Sequence, residues 1–110
     1  MIESLGKVTT TAGVRQRLTA NRADPAARYA CHAVLVQALR TNGAPVYIGT
    51  ADLDRVALTG VYAQLAAPSG AVIPSFSAAL TLAPNAINVA DLYLDVDTNG
   101  EGVIVTVLVA

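Results

Sequence analysis

The sequence has few charged residues, few aromatic residues and almost no cysteine. Charged residues make up 14% of the 110 positions and aromatic residues 5%, and there is no tryptophan. An average soluble domain has about 25% charged residues. So few polar side chains leave part of the surface apolar, and monomers rarely expose large apolar patches. We therefore expect another chain to cover part of this surface.

Cys31 and His32 are the only cysteine and the only histidine. A single cysteine excludes an internal disulfide, so the fold must be stabilised by packing. Both residues lie in a predicted strand, where adjacent side chains point to opposite faces. They therefore cannot bind one metal ion together or form a catalytic pair, and we interpret His32 as a partly exposed strand residue.

The sequence has no recognisable catalytic or cofactor-binding motif. It contains no G-x-S-x-G nucleophile elbow and no glycine-rich phosphate loop. Asp95 and Asp97 are two carboxylates on one face of a strand, but glycosidase chemistry needs a cleft that an exposed strand end does not provide. The sequence therefore predicts a protein that is not an enzyme and binds no cofactor.

Residues 95–100 resemble the first half of a calcium-binding loop, with oxygen ligands at alternating positions. The second half does not fit, because the twelfth position is Thr106 rather than glutamate and a strand follows instead of a helix. We interpret the segment as an acidic strand that enters a turn. Calcium held by Asp95, Asp97 and Asn99 together with a neighbouring loop is the alternative.

Short apolar runs of period two, separated by turn residues, predict an all-β fold. Residues 91–97 direct Leu92, Leu94 and Val96 inward, and residues 72–82 alternate in the same way. Residues 103–109 are apolar on both faces, which is typical of a strand in the middle of a sandwich or under a partner chain. We expect one domain over residues 1–110, an antiparallel sandwich or jelly roll of about eight strands.

Weaker patterns predict the remaining elements. Residues 27–39 could also form a helix, but the turn residues on both sides favour a strand over residues 29–39. Asn99-Gly100 predicts a type I′ hairpin turn. The other predicted elements are an opening hairpin of residues 4–10 and 14–19 around Ala12-Gly13, a polar loop at 21–26, a turn at 41–45, a strand at 46–49, a loop at 52–60 and a strand at 61–66.

Charge is divided unevenly along the chain, although the net charge is only −1. All seven basic residues lie within residues 1–55, and beyond them the charged side chains are acidic. Such halves can pair with copies of the same chain, and arginine makes planar interface contacts. The alternative is that these charges only solvate loops. The predicted protein-interface residues are Arg15, Arg17, Arg22, Arg28, Val103, Val105 and Val107.

Membrane and nucleic-acid partners are not expected. The longest strongly apolar stretch, residues 103–110, is far shorter than the roughly 20 residues of a membrane-spanning helix. The N-terminal residues lack the pattern of a signal peptide, so we expect assembly in a cytosol. Binding of nucleic acid by a β face needs aromatic side chains among cations, and this pattern is missing.

A series of short segments resembles small all-β virion structural proteins of tailed bacteriophages, among them capsid decoration (cement) and minor structural proteins. In chain order these segments are 5–10 (LGKVTT), 37–39 (QAL), 46–50 (VYIGT), 60–61 (GV), 67–68 (AP), 88–95 (NVADLYLD) and 100–103 (GEGV). The likeness covers nearly the whole chain, but no segment is a chemical motif.

The resemblance implies a subunit of the capsid surface that is assembled in the host cytoplasm. Such a subunit binds the major capsid protein and copies of itself. Two alternatives stay open: a head-fibre or tail adhesin that recognises host glycan, and a subunit of the neck or tail connector.

Overall fold

The computed structural model describes residues 1–74 and 87–109, and strands dominate the regular structure in these ranges. The predicted all-β class is confirmed. One turn of 3-10 helix, Val89–Asp91, is the exception. The strands are β1 (Ile2–Thr9), β2 (Gln16–Arg17), β3 (Ala30–Ala38), β4 (Val46–Asp54), β5 (Thr59–Leu65), β6 (Gly70–Pro74), β7 (Ile87–Asn88), β8 (Tyr93–Val96) and β9 (Gly102–Val109).

The strands form two antiparallel sheets that pack as a sandwich. Sheet A has the order β1-β9-β3-β6, and β7 pairs with the start of β3. Sheet B has the order β2-β8-β4-β5. The strand that is apolar on both faces, β9, lies between β1 and β3 in the middle of sheet A, as predicted.

Alternating side chains of both sheets build the core. Val105 of sheet A and Leu94 and Val96 of sheet B are fully buried in one core cluster, and Leu94 and Val96 point inward as the sequence predicted. Burying an aliphatic side chain of this size contributes about 1.5–3 kcal/mol. The apolar contact between the sheets is therefore what holds together a fold without disulfides.

The predicted opening hairpin is wrong. β1 pairs with β9, whereas Gln16 and Arg17 pair with β8 in the other sheet. The connection between them is fixed from a distance, because the Ala12 N–H donates to Asn99 Oδ1 at 2.9 Å and the Gly13 N–H donates to Asp95 Oδ1 at 3.0 Å. These bonds carry the chain across to sheet B instead of letting it fold back on β1.

The predicted type I′ hairpin at Asn99-Gly100 is also wrong, because β8 and β9 belong to different sheets. Only Gly100 has a positive φ, +83°, whereas a type I′ turn needs positive φ at both central residues. The Glu101 N–H donates to the Thr98 carbonyl, which closes a turn that crosses between the sheets.

The connection predicted as a loop at 52–60 is a tight hairpin between β4 and β5. β4 continues to Asp54, beyond the strand predicted at 46–49. The carboxylate of Asp54 closes the turn by accepting from the Val56 and Ala57 N–H groups, and these bonds lower the pKa of Asp54. The predicted strand at 72–82 is seen as β6 up to Pro74, and its remainder lies outside the described residues.

Candidate interaction surfaces

The three valines predicted to contact a partner lie in the core. Val103, Val105 and Val107 are at most 1% exposed, because they face sheet B. They are therefore core residues and offer no side-chain surface to a partner. The exposed side chains of the same strand are Ile104 and Leu108, at 43% and 42% exposure.

These two residues belong to a wider apolar surface on the outer side of sheet A. The surface extends over all four principal strands of the sheet, with neighbours set by the strand register: Ile2 lies opposite Leu108, and Leu35 lies opposite Val72. We call it the apolar face and define it by its exposed aliphatic side chains, which are Ile2, Leu35, Val72, Ile104 and Leu108.

The apolar face is uneven, and its relief follows from the register. Leu108 lies opposite Ala33, and Leu35 lies opposite Thr106, so large and small side chains alternate on adjacent positions of β9 and β3. A hollow of about 170 Å³ lies here, with no charged residue in its lining. Lys7 and Gln37, opposite Ile104, give the surface a polar border at one end.

The outer side of sheet B is polar and tightly connected. Asp95 is only 4% exposed although it faces outward, because the 10–15 connection and Arg55 cover it. Its Oδ1 accepts from the N–H groups of Gly13 and Val96, and its Oδ2 lies 3.5 Å from Arg55 Nε. Arg55 Nη1 also donates to Asp97 at 2.7 Å.

Tyr47 completes this network, since its hydroxyl donates to Asp97 Oδ2 at 3.0 Å. Burial and the bond to Asp97 raise the pKa of the Tyr47 hydroxyl. The oxygens considered as calcium ligands are thus engaged by protein donors, including Asn99 Oδ1, which accepts from Ala12. Within residues 1–74 and 87–109, no three His, Cys, Asp or Glu side chains are grouped to hold a metal ion.

The predicted interface arginines do not form one surface patch. Arg15 Nη1 donates to the Leu53 carbonyl at 3.0 Å, and Arg17 Nη1 donates to the Ala90 carbonyl at 2.5 Å. Arg17 also stacks 5.1 Å from the ring centre of Tyr93. These contacts place both arginines over sheet B, where they stabilise the chain's own loops.

The other two predicted arginines lie around the 19–29 connection. The guanidinium of Arg22 stacks on the Tyr29 ring at 3.9 Å, whereas Arg28 is exposed. In the described part of the chain, Arg55 is the only cation that forms a salt bridge. Arg15, Arg17, Arg22 and Arg28 therefore have no carboxylate partner within the described residues.

A cleft of about 670 Å³ lies between the edges of the two sheets. Its lining combines Tyr62, which is 59% exposed, with Tyr93, Arg17, Asp52 and Asp91. Sequence reasoning missed this grouping because its members come from positions between 17 and 93, and no local pattern connects them. Aromatic rings with nearby carboxylates and an arginine can bind a polar ligand by stacking and hydrogen bonds.

Cys31 and His32 occupy different environments, as expected for neighbours in a strand. Cys31 is fully buried in the core, and His32 is partly exposed. Burial, followed by the charge of Glu3, raises the pKa of the Cys31 thiol to about 11. The thiol is therefore protonated at neutral pH, and a protonated buried thiol is a poor nucleophile.

The chain was compared with protein families, curated proteins and solved structures, and none of the three comparisons finds a match. Among the described residues, no helix has the length and apolar character needed to cross a membrane.

Proposed function

We propose that this chain is a structural, non-catalytic subunit of a bacteriophage virion, a capsid decoration protein that binds the major capsid protein and stabilises the head. The resemblance of segments such as 46–50 and 88–95 suggests the class of protein. The observation that carries the proposal is the apolar face, because five large aliphatic side chains are exposed on one side of a single sheet.

The exposed apolar face is easier to explain in a subunit of an assembly than in a soluble monomer. Its five aliphatic side chains are between 42% and 75% exposed. Contiguous apolar surface of this kind marks contacts with other proteins in soluble chains. A decoration protein is made in the cytoplasm as a free chain, and its contact surface is covered when it joins the virion. Such a protein can therefore have an apolar surface that a monomer would bury.

Capsids of the encoding phage, prepared without this protein, provide the test. Purified protein is expected to bind them at saturable stoichiometry and to raise the temperature at which they release DNA or lose their shape. Leu35→Glu, which places a charge in the apolar face, is expected to weaken binding. Val56→Glu, which places the same charge on an exposed turn residue, is the matched control and should bind like the wild type.

An absence of binding by well-folded protein would contradict the proposal.

The second candidate is a head-fibre or tail adhesin that recognises host glycan, and the cleft with Tyr62 and Tyr93 is the observation that favours it. Tyrosine rings can stack on sugar rings, while Asp52 and Asp91 can accept from sugar hydroxyls. Binding to a glycan array that is lost in Tyr62→Ala would favour the adhesin over the decoration protein.

A further inference from the structure

The occupant of the apolar face can be inferred from the relief and charge of the face itself. We propose that two copies of this chain pack through their apolar faces, related by a two-fold axis that lies in the interface, parallel to the strands and between β9 and β3. The inference rests on the proposed function only for the idea that this face is a docking surface. Here a second copy, not the capsid protein, covers the face, and Leu35→Glu weakens capsid binding because a dimer binds with two copies at once.

The alternation of side-chain size on β9 and β3 supports a second copy. Leu108 and Leu35 are the large members of a block of four positions, and Ala33 and Thr106 are the small ones. The proposed axis exchanges the two strands, so Leu108 of one copy lies over Ala33 of the second copy and Leu35 lies over its Thr106. Large meets small at all four positions, as an isologous contact requires.

The hollow has the volume that this packing needs. It measures about 170 Å³ and includes Ala33 and Thr106 in its lining. An engineered apolar cavity of about 150 Å³ accepts a benzene molecule, so a leucine side chain can enter a hollow of this size. Because the leucines and the hollow lie on the same face, each copy supplies what the other receives.

The area of the face is close to that of a specific interface. Four strands about 4.8 Å apart and about seven residues of about 3.3 Å each give a projected area of about 450 Å². Two such faces bury about 900 Å² in projection, and more once side-chain relief is included, against the roughly 1,000 Å² that a specific interface needs. Two stacked sheets are also a stable arrangement that this protein already uses in its own core.

Charge does not oppose this contact between identical surfaces. A heterologous partner can balance a charged patch with opposite charges, whereas identical faces bring like charges together. No charged residue lines the hollow, and Lys7 lies at the end of the face, opposite Ile104. Glu3 and Lys7, both on the edge strand β1, are the charged residues of sheet A, and the other charged residues lie on sheet B and in the connections.

Sedimentation equilibrium of the purified protein, without capsids, tests the inference with three variants. The wild type is expected to be a dimer, and Leu35→Glu to weaken dimerisation roughly a hundredfold or more, because an unpaired charge would be buried. Val56→Glu, with the same charge on the β4–β5 turn, should dimerise like the wild type. Thermal unfolding followed by circular dichroism confirms that each variant is folded.

The variant Ala33→Leu distinguishes a dimer with complementary surfaces from non-specific hydrophobic association. This variant adds apolar surface, so non-specific association would become stronger. In the proposed dimer it fills the place of Leu108 from the second copy, so dimerisation is expected to weaken at least about tenfold. Weaker association despite a more apolar face is the result that supports the inference.

Three results would overturn the inference: a wild type that is monomeric at its highest soluble concentration, a dimer that survives Leu35→Glu, or a dimer that Ala33→Leu strengthens. A monomer whose binding to capsids depends on Leu35 would assign the face to the capsid protein, and the proposed function would stand. A dimer that behaves as expected but never binds capsids would leave the inference standing and reject the proposed function.

Discussion

Replacing Gly102 by alanine is expected to prevent folding or to lower the free energy of unfolding by about 4 kcal/mol or more. A Cβ at this position would lie 1.9 Å from the Val8 carbonyl oxygen and 2.8 Å from the Thr9 Cα. Both obstacles are backbone atoms of β1. A flexible side chain could move away from a new methyl group, whereas here a whole strand of sheet A would have to shift.

The backbone around Gly102 cannot shift easily, because it is held from the other side. Its carbonyl accepts from the Leu39 N–H at 3.1 Å and from Asn42 Nδ2 at 2.8 Å. Its own N–H donates to Asn42 Oδ1 at 3.3 Å. Relief of the clash with β1 would therefore break bonds to the β3–β4 connection.

Gly43→Ala is the matched control for Gly102→Ala. A Cβ on Gly43 would meet only Glu101 Oε2, at an ordinary contact distance of 3.6 Å. We expect this variant to stay within about 0.5 kcal/mol of the wild type. Urea unfolding followed by circular dichroism measures both variants, and equal stability of the two would refute the described packing of β9 against β1.

Removing the carboxylate of Asp95 is expected to have the second largest effect, a loss of about 2–4 kcal/mol for Asp95→Ala. The change leaves the N–H groups of Gly13 and Val96 without an acceptor and removes one of the two partners of Arg55. Because Gly13 belongs to the 10–15 connection, the variant should also loosen the link between β1 and β2.

Asp95→Asn is the comparison that separates the hydrogen bonds from the charge. The amide oxygen can still accept from Gly13 and Val96, so we expect a smaller loss of about 1 kcal/mol. Amide hydrogen exchange at Gly13 is the local measurement: exchange should be much faster in Asp95→Ala and little changed in Asp95→Asn. Unchanged exchange in both variants would show that Asp95 does not hold the 10–15 connection.

The sequence could predict which segments are strands, because alternation is a local property. Leu92, Leu94 and Val96 are inward as expected, and the segment 29–39 is a strand, not a helix. β9 is apolar on both faces, so the pattern alone cannot tell which face meets the core. The position of sheet B decides this, and it buries Val105 while leaving Ile104 and Leu108 exposed.

The partner of each strand could not be predicted, because long-range polar contacts fix the connections. Asn99 and Asp95 accept from Ala12 and Gly13, more than 80 positions away in the chain. Turn propensities at Ala12-Gly13 and Asn99-Gly100 indicate that the chain reverses, but they do not say which sheet the next strand joins. The cleft with Tyr62 was missed for the same reason, since only the folded chain brings its residues together.

The exposed apolar surface follows from the composition, but its residues could not be predicted. The low content of charge predicts exposed apolar surface, and the described residues carry such a surface on the outer side of sheet A. On β9, the predicted residues and the exposed residues are offset by one position, because a strand places adjacent side chains on opposite faces. Val103, Val105 and Val107 stabilise the core, and the apolar face is built instead by Ile104 and Leu108 with their neighbours on other strands.

The copy number of this protein in purified virions distinguishes a decoration protein from a subunit of the neck or tail. Quantitative mass spectrometry against the major capsid protein of the same particles provides the measurement. A decoration protein occupies repeated positions on the capsid lattice, so we predict a copy number within a few-fold of that of the major capsid protein. A copy number that matches a single ring at the neck or tail, or absence from the virion, would contradict it.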